Sequence, residues 1–240
     1  DCWAFTGHCS HFTMVKCNQW KTKCTNCSQL RRYPACFAMS SVSKNFERKR
    51  KAFTGVKNLT LITPSKWLAD LTRESFLKEY PVEVHYNTID TSIFKPTSSD
   101  FRERYDLQDK FVVLGVANVW EDRKGLTDFF ELRKQLDEKY AIVLVGLNKE
   151  QLEQLPAGII GIQRTNSPQE LAEIYTAADV FVNPTYEDNY PTVNLEAQAC
   201  GTPVITYDTG GCKETLYTDD SACVETGSVS DIVWHIKDDL

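Results

Sequence analysis

The sequence predicts an α/β fold in which a doubly wound parallel sheet is covered by helices on both faces. Short runs of consecutive apolar residues, bounded by turn residues, recur along most of the chain, as expected of strands buried on both faces. Amphipathic segments with helical spacing separate these runs, and this alternation is typical of a parallel sheet. With 42% hydrophobic and 25% charged residues among 240, the composition supplies a core and excludes a disordered or collagen-like chain.

The first hundred residues open on irregular sequence. Residues 1–40 are rich in Cys, Thr and aromatic residues without a sustained period, which predicts a loop held by cross-links or by a metal. The basic stretch at 43–57 predicts a solvated helix, which could also face an anionic membrane surface or an anionic acceptor. A strand, a helix that Ser65 would cap and a second strand are then predicted at 59–63, 65–77 and 82–86.

Five apolar runs after residue 100 predict the main sheet. The strands are predicted at 111–116, 142–146, 158–162, 180–183 and 204–207. The helices between them are predicted at about 125–138, 149–155, 168–178 and 191–200. The third of these helices has the clearest start, with Ser167 as N-cap, Pro168 in the first turn and Glu170 completing a capping box.

Charge divides the chain into two units. Residues 1–100 contain 15 basic and 8 acidic side chains, whereas residues 101–240 contain 12 and 25, so the halves carry +7 and −13 within a net charge of −6. Together with the linker-like composition at 96–100, this predicts two domains, 1–100 and 101–240, with the boundary near 94–110. An acidic chain is a poor non-specific nucleic-acid binder, and no apolar run approaches the roughly 18 residues that span a bilayer.

Candidate functional residues follow the predicted strands, since ligands of parallel sheets bind beyond the carboxyl ends of the strands. Arg123 and Lys124, followed by Gly125, could neutralise a diphosphate at a helix entrance, or could be an ordinary surface pair. The polar segment 184–203 contains Glu196 on a predicted helix, where it could accept hydrogen bonds from sugar hydroxyls or simply face solvent. Four further candidate residues lie at the same edge: Glu187 and Asp188, which could instead be solvated acids, and the glycine pair Gly210 and Gly211.

These residues resemble the retaining GT-B glycosyltransferases of family 4. The resemblance covers about residues 59–228 and begins with LTLITPSKWLADL and NTIDTSIFKP. Its most specific part is YEDNYPTVNLEAQACGTPVITYDTGG, which is similar to a family motif with two acids and a terminal glycine pair. The opening DCWAFTGHC resembles in particular exopolysaccharide glycosyltransferases of the colanic-acid type.

The resemblance implies a role for each matching residue. Arg123 and Lys124 would bind the donor diphosphate, Glu196 the nucleotide ribose, and Glu187 or Asp188 the donor sugar. Residues near the helix start, and the glycine pair, would complete the donor site: Asn189, Tyr190, Pro191, Thr192, Gly210 and Gly211. This sequence departs from the family where Val119 replaces an arginine, Thr88 replaces a glycine, and Glu187 lies nine rather than eight residues before Glu196.

The implied activity is hexosyltransferase-type transfer, with retention, from a UDP- or GDP-linked sugar to a glycan or lipid-linked acceptor in surface polysaccharide synthesis. Protein cations would stabilise the departing diphosphate, so the chemistry requires no metal cofactor. We expect residues 1–100 to be the end of an acceptor domain in an N-terminally truncated chain, and the fragment to be catalytically incomplete. Two alternatives are a non-catalytic donor-binding module and a GT-B-like epimerase or phosphorylase.

The cysteines predict a separate structural site. Six of the nine lie in the first 36 residues, and Cys9, Cys17, Cys24 and Cys27 have the spacing C-x7-C-x6-C-x2-C, compatible with a four-thiolate zinc site. Possible substitute ligands are His8, His11, Cys2 and Cys36. Free thiols and disulfides are the alternatives, and the odd total favours a reducing cytoplasm, with peripheral contact at the inner membrane face also possible.

Overall fold

The computed structural model describes residues 2–36 and 41–239 of the chain. It divides into two compact units, Asp1–Tyr86 and Asn87–Leu240. The division falls before the predicted boundary at 100/101, because the segment after Tyr86 packs on the second unit. There the Phe94 ring contacts the Tyr175 ring edge-on at 6.3 Å, and the Thr97 amide donates to the Thr176 hydroxyl at 3.1 Å.

The first unit contains two helices and two short strands in its described part. Their bounds are α1 Val42–Thr54, β1 Leu61–Thr63, α2 Lys66–Glu74 and β2 Val82–Val84. Strands β1 and β2 pair in parallel, and Ser65 caps α2 as predicted by accepting from the Leu68 amide at 3.1 Å. Residues 2–36 form only single-turn 3-10 helices at Cys2–Phe5 and Gln19–Lys21, consistent with the predicted loop. Their aromatic side chains nevertheless supply core, since Phe5, Phe12 and Trp20 pack with Phe46 of α1.

The second unit alternates helices with strands. Its first half comprises α3 Phe101–Arg104, β3 Phe111–Val116, α4 Leu126–Gln135, β4 Tyr140–Val145, α5 Lys149–Glu153 and β5 Ile159–Ile162. Its second half comprises α6 Pro168–Ala177, β6 Val180–Asn183, α7 Thr192–Ala199, β7 Val204–Tyr207, β8 Ala222–Val224 and α8 Val229–Trp234. Ser167 caps α6 by accepting from the Glu170 amide, but the predicted capping box is wrong. The Glu170 carboxylate accepts instead from the Asn166 amide, at 2.6 Å.

The six strands β3 to β8 form one parallel sheet in the order β5-β4-β3-β6-β7-β8. Successive residues of β3 enter different cores: Val113 packs with side chains of α4 and α8, and Leu114 packs with side chains of α6 and α7. Helices therefore cover both faces, and the doubly wound α/β prediction is confirmed. Among the residues that the structure describes, no helix is both long and apolar enough to span a membrane.

Candidate functional site

The strand order identifies one place where a ligand crevice forms. The chain runs outward from β3 through β4 to β5, then returns to β6 beside β3 and runs outward the other way. Connections after β3 and β6 therefore leave in opposite directions and open a crevice at the carboxyl ends of these two strands. The loop with Arg123 and Lys124 follows β3, and the segment from Pro184 to Thr192 follows β6, so the topology brings both predicted segments to this crevice.

The loop after β3 is fixed against the loop after β6 by backbone contacts. The Arg123 carbonyl accepts from the Tyr186 amide at 2.7 Å and from the Thr185 hydroxyl at 3.1 Å. Gly125 has φ +72°, and a Cβ atom at this position would lie 2.2 Å from the Pro184 carbonyl oxygen. A side chain at residue 125 would therefore separate the two loops, which explains the glycine after the basic pair.

The two predicted cations meet an acid of the second loop. Lys124 Nζ lies 2.6 Å from Asp188 Oδ2, and Arg123 Nη1 lies 3.9 Å from the same oxygen while donating to the Glu187 carbonyl at 3.1 Å. The side chains of Lys124 and Asp188 are 18% and 21% exposed. Burial alone would raise the pKa of Asp188, but attraction to Lys124 and Arg123 outweighs it and lowers the pKa below its usual range.

The two acids that the sequence leaves as alternatives lie in different environments. Glu187 is fully buried, and its carbonyl accepts from Arg123. The Asp188 carboxylate is partly exposed beside the cations, and the Asp188 carbonyl accepts from the Gly211 amide at 3.0 Å. Gly210 has φ +58°, and a Cβ atom there would lie 1.8 Å from the Asp188 carbonyl oxygen. The glycine pair therefore contacts the backbone of Asp188 directly, Gly211 by a hydrogen bond and Gly210 by close packing.

Glu196 lies on α7, the helix that follows the loop containing Asp188. Its Oε2 accepts from the Tyr175 hydroxyl at 3.2 Å, and the Thr192 hydroxyl also hydrogen-bonds to its carboxylate. Burial raises the pKa of Glu196, and these two hydrogen bonds offset only part of the rise. The side chain of Glu196 is half-buried, and its carboxylate is held by two hydroxyls of the protein.

Three more predicted residues flank the start of α7. Pro191 precedes its first residue, Thr192, and Tyr190 is buried with its hydroxyl 2.6 Å from that of Tyr217. Asn189 Oδ1 is buried and has no hydrogen-bond partner among the described residues. A buried amide oxygen without a partner is uncommon and can mark the place of a missing ligand or water.

Sequence reasoning missed a buried acid below the loop after β6. Asp128 on α4 is 8% exposed and accepts from the Tyr207 hydroxyl at 2.7 Å and from the Tyr186 hydroxyl at 2.9 Å. Tyr186 immediately precedes Glu187 and Asp188, so this network anchors the start of the acidic segment to α4 and β7. No local pattern signals it, because the three residues are distant in sequence.

Comparisons with known proteins identify the family of this chain. The family described as Glycosyl transferases group 1 matches residues 110–238, more than half of the chain, so the chain belongs to this family. It is similar to the N,N'-diacetylbacillosaminyl-diphospho-undecaprenol alpha-1,3-N-acetylgalactosaminyltransferase of Campylobacter jejuni, with 32% identity over 122 residues, 48% of this chain and 31% of that protein. It is also similar to the alpha-galactosylglucosyldiacylglycerol synthase of Streptococcus pneumoniae, with 31% identity over 47% of this chain and 33% of that protein.

Two solved structures share the fold. The sucrose-phosphate synthase of Thermosynechococcus elongatus superimposes with a TM-score of 0.68 at 20% identity, over 83% of this chain and 54% of that one. Anabaena Alr3699/HepE in complex with UDP-glucose gives a TM-score of 0.66 at 18% identity, over 80% and 57%. The GT-B type of α/β fold is confirmed, and the chain spans little more than half the length of these neighbours.

Proposed function

We propose that the second unit binds the diphosphate of a nucleotide-sugar, and that the whole protein is a retaining glycosyltransferase of the hexosyltransferase type. The observation that carries this proposal is the position of Arg123 and Lys124, at the crevice where the strand order reverses and beside the partly exposed carboxylate of Asp188. The complex of Alr3699/HepE with UDP-glucose supports a nucleotide-sugar as the ligand class. UDP and GDP remain the two donor nucleotides to be compared.

Lys124 and Arg123 would stabilise the negative charge that develops on the departing diphosphate. Their fixed position supports this role, because cations held in place before the reaction need little reorganisation in the transition state. With protein cations at the phosphates, the proposed chemistry requires no divalent ion. The amides at the start of α7 would add partial positive charge on the same side.

Asp188 is our candidate for the acid that contacts the donor sugar. Glu187 is fully buried, whereas Asp188 is partly exposed next to the cations that would hold the diphosphate. For a donor to bind, the diphosphate would replace Asp188 as the partner of Lys124, and the freed carboxylate would accept from sugar hydroxyls. The unpartnered Oδ1 of Asn189 provides another acceptor nearby in sequence.

Glu196 would accept hydrogen bonds from the ribose. Tyr175 and Thr192 hold its carboxylate in one orientation, which lowers the entropic cost of using it as a rigid acceptor. The names of the Campylobacter and Streptococcus relatives include diphospho-undecaprenol and diacylglycerol, which favours a lipid-linked acceptor in surface polysaccharide synthesis. A cytoplasmic reaction, with the exposed Lys44, Arg48 and Arg50 of α1 near an anionic membrane, fits such an acceptor.

Donor binding to this chain tests the proposal without requiring turnover. Isothermal titration with UDP, GDP and their glucose and mannose conjugates should give saturable binding of one nucleotide series. Lys124→Ala should weaken that binding by about 10- to 100-fold, since a charge-assisted hydrogen bond contributes about 1.5–3 kcal/mol. Lys134→Ala, which removes a surface cation paired with Glu131, is the matched control and should leave affinity unchanged. Equal affinity in the Lys124 and Lys134 variants would contradict the proposed diphosphate site.

A further inference from the structure

The fold brings together four cysteines that the proposed function does not use. Cys9, Cys17, Cys24 and Cys27 line one small cavity in the first unit, together with Phe12 and Trp20. Its volume of about 10 Å³ suits one ion or one water and excludes an organic ligand. Of the four alternative ligands suggested by the sequence, His8, His11 and Cys36 are not among its lining residues, and the side chain of Cys2 lies outside what the structure describes.

The four thiols interact with one another. Cys9 and Cys27 form a side-chain hydrogen bond, and both Cys17 and Cys24 act electrostatically on Cys9. All four cysteines are free rather than joined in disulfides. A tetrahedral zinc with bonds of about 2.3 Å holds its sulfurs roughly 3.8 Å apart, so its ligands must be cysteines that are neighbours in the fold, as these four are.

The surroundings of the cluster suit a negatively charged metal–thiolate group. The Gly7 amide donates to Cys24, and a Cβ atom at Gly7 would lie 2.8 Å from that of Cys24. Lys49 donates to the carbonyls of Trp3 and Thr6, at 2.6 and 3.0 Å, and its ammonium acts on both Cys9 and Cys24. A half-buried cation and a backbone N–H directed at the thiols would offset the −2 charge of a four-thiolate zinc site.

The local fold also needs a cross-link. Residues 2–36 contain only two single-turn 3-10 helices, yet they bury Phe5, Phe12 and Trp20 against α1. Irregular segments with few backbone hydrogen bonds commonly require a metal or disulfides to hold such a core. The cluster joins the segment around Cys9 to the loop from Cys17 to Cys27, beside Val42 of α1.

We propose that Cys9, Cys17, Cys24 and Cys27 form a closed structural zinc site that fixes the irregular segment 2–36 against α1. Within residues 2–36 and 41–239, no three Cys, His, Asp or Glu side chains are already arranged to hold a metal ion. The four cysteines therefore surround one cavity without yet having the geometry of metal ligands, and we expect ion binding to reorient at least one of the four thiols. With four protein ligands the ion has no open position, so its role is structural rather than catalytic.

Elemental analysis of the full chain, purified under reducing conditions without chelator, tests this site. We expect roughly one zinc per chain, retained in Cys223→Ser and lost in Cys27→Ser. Both substituted cysteines are partly exposed, so the control matches the test in chemistry and accessibility. Less than about half an equivalent of zinc in the unsubstituted chain, or equal zinc in the two variants, would overturn the proposal.

A second measurement covers the case in which Cys27→Ser does not fold. Cobalt added to the unsubstituted chain after removal of zinc should give the intense near-ultraviolet charge-transfer absorption of thiolate ligands, with an intensity expected for four. Intact mass under non-reducing conditions should show no loss of hydrogen at these four cysteines. Absence of the charge-transfer absorption, or disulfides within the cluster, would show that the cysteines serve another purpose.

Discussion

Asp188→Asn tests whether one carboxylate both competes with the diphosphate and recognises the sugar. The substitution preserves shape and removes one negative charge 2.6 Å from Lys124 Nζ and 3.9 Å from Arg123 Nη1. We expect the variant to bind the free nucleoside diphosphate more tightly than the unsubstituted chain, because Lys124 no longer has a competing anion. We also expect it to lose the additional affinity that the sugar provides.

The geometry sets the size of the first effect. A diphosphate held by Lys124 would lie roughly 6 Å from the Asp188 carboxylate, where repulsion between unit charges is about 3 kcal/mol at an effective dielectric constant of 20. The side chain is 21% exposed, so solvent screening reduces this to about 1–2 kcal/mol. Affinity for UDP or GDP should therefore rise by about 5- to 30-fold.

Titration calorimetry with the free nucleotide and with its sugar conjugate measures both effects in one experiment. Glu131→Gln removes a surface charge of the same sign and serves as the control for net charge. Competition at Lys124 predicts that the free nucleotide binds more tightly and that the sugar conjugate loses its advantage over the free nucleotide, whereas general destabilisation of the loop weakens binding of both ligands. Weaker binding of the free nucleotide by the Asp188 variant would refute the reasoning.

Two further perturbations probe the same crevice. Gly210→Ala should reduce affinity for the sugar conjugate by at least about tenfold and lower the free energy of unfolding by about 1–3 kcal/mol, because the new Cβ would lie 1.8 Å from the Asp188 carbonyl oxygen. The control is Gly201→Ala, since Gly201 also has a positive φ but a Cβ there would have its nearest contact at 3.7 Å. Urea unfolding and titration calorimetry of both variants separate the clash from the effect of the backbone conformation alone. The raised pKa of Glu196 predicts that its contribution to stability is present below the unfolded pKa of about 4.3 and is lost as pH rises through the higher folded pKa. Urea unfolding from pH 4 to 7 should show this loss of stability in the unsubstituted chain but not in Glu196→Gln. Glu153→Gln, a change at an exposed acid, is the control and should also show the loss. The same dependence of unfolding free energy on pH in all three proteins would exclude Glu196 as its source.

The sequence predicts the bounds of a strand or helix well where its run of apolar residues is long and continuous. Strands β3, β6 and β7 begin and end at the predicted residues, since each is a mainly apolar run bounded by polar or turn residues. Strand β8 has three residues and α8 has six, both too short for a periodic pattern to emerge. Linker-like composition at 96–100 favours a boundary there, but composition does not reveal the packing of Phe94 on Tyr175.

The sequence predicts which residues belong to the candidate site, but it does not predict which of them form contacts with one another. Position after a strand identified Arg123, Lys124 and Asp188, but the ion pair between Lys124 and Asp188 joins residues 64 positions apart. The Asp128 network has the same character, because Tyr186 and Tyr207 reach the acid only after the sheet has formed. Contacts between separate loops depend on strand order, which local pattern does not contain.

An ion pair in a donor site has a consequence for which ligand the site retains. A free nucleoside diphosphate would displace Asp188 from Lys124 and leave that carboxylate with the Tyr190 amide, 3.4 Å from its Oδ1, and near a second negative group. A nucleotide-sugar would displace it equally but would offer hydroxyls in return, so only the complete donor would compensate Asp188 for its lost partner. After transfer, the sugar hydroxyls would leave and Asp188 would again compete for Lys124. The same pair would thus favour the donor over its product and assist release of the diphosphate, which is why Asp188→Asn should tighten binding of the free nucleotide and abolish the preference for its conjugate.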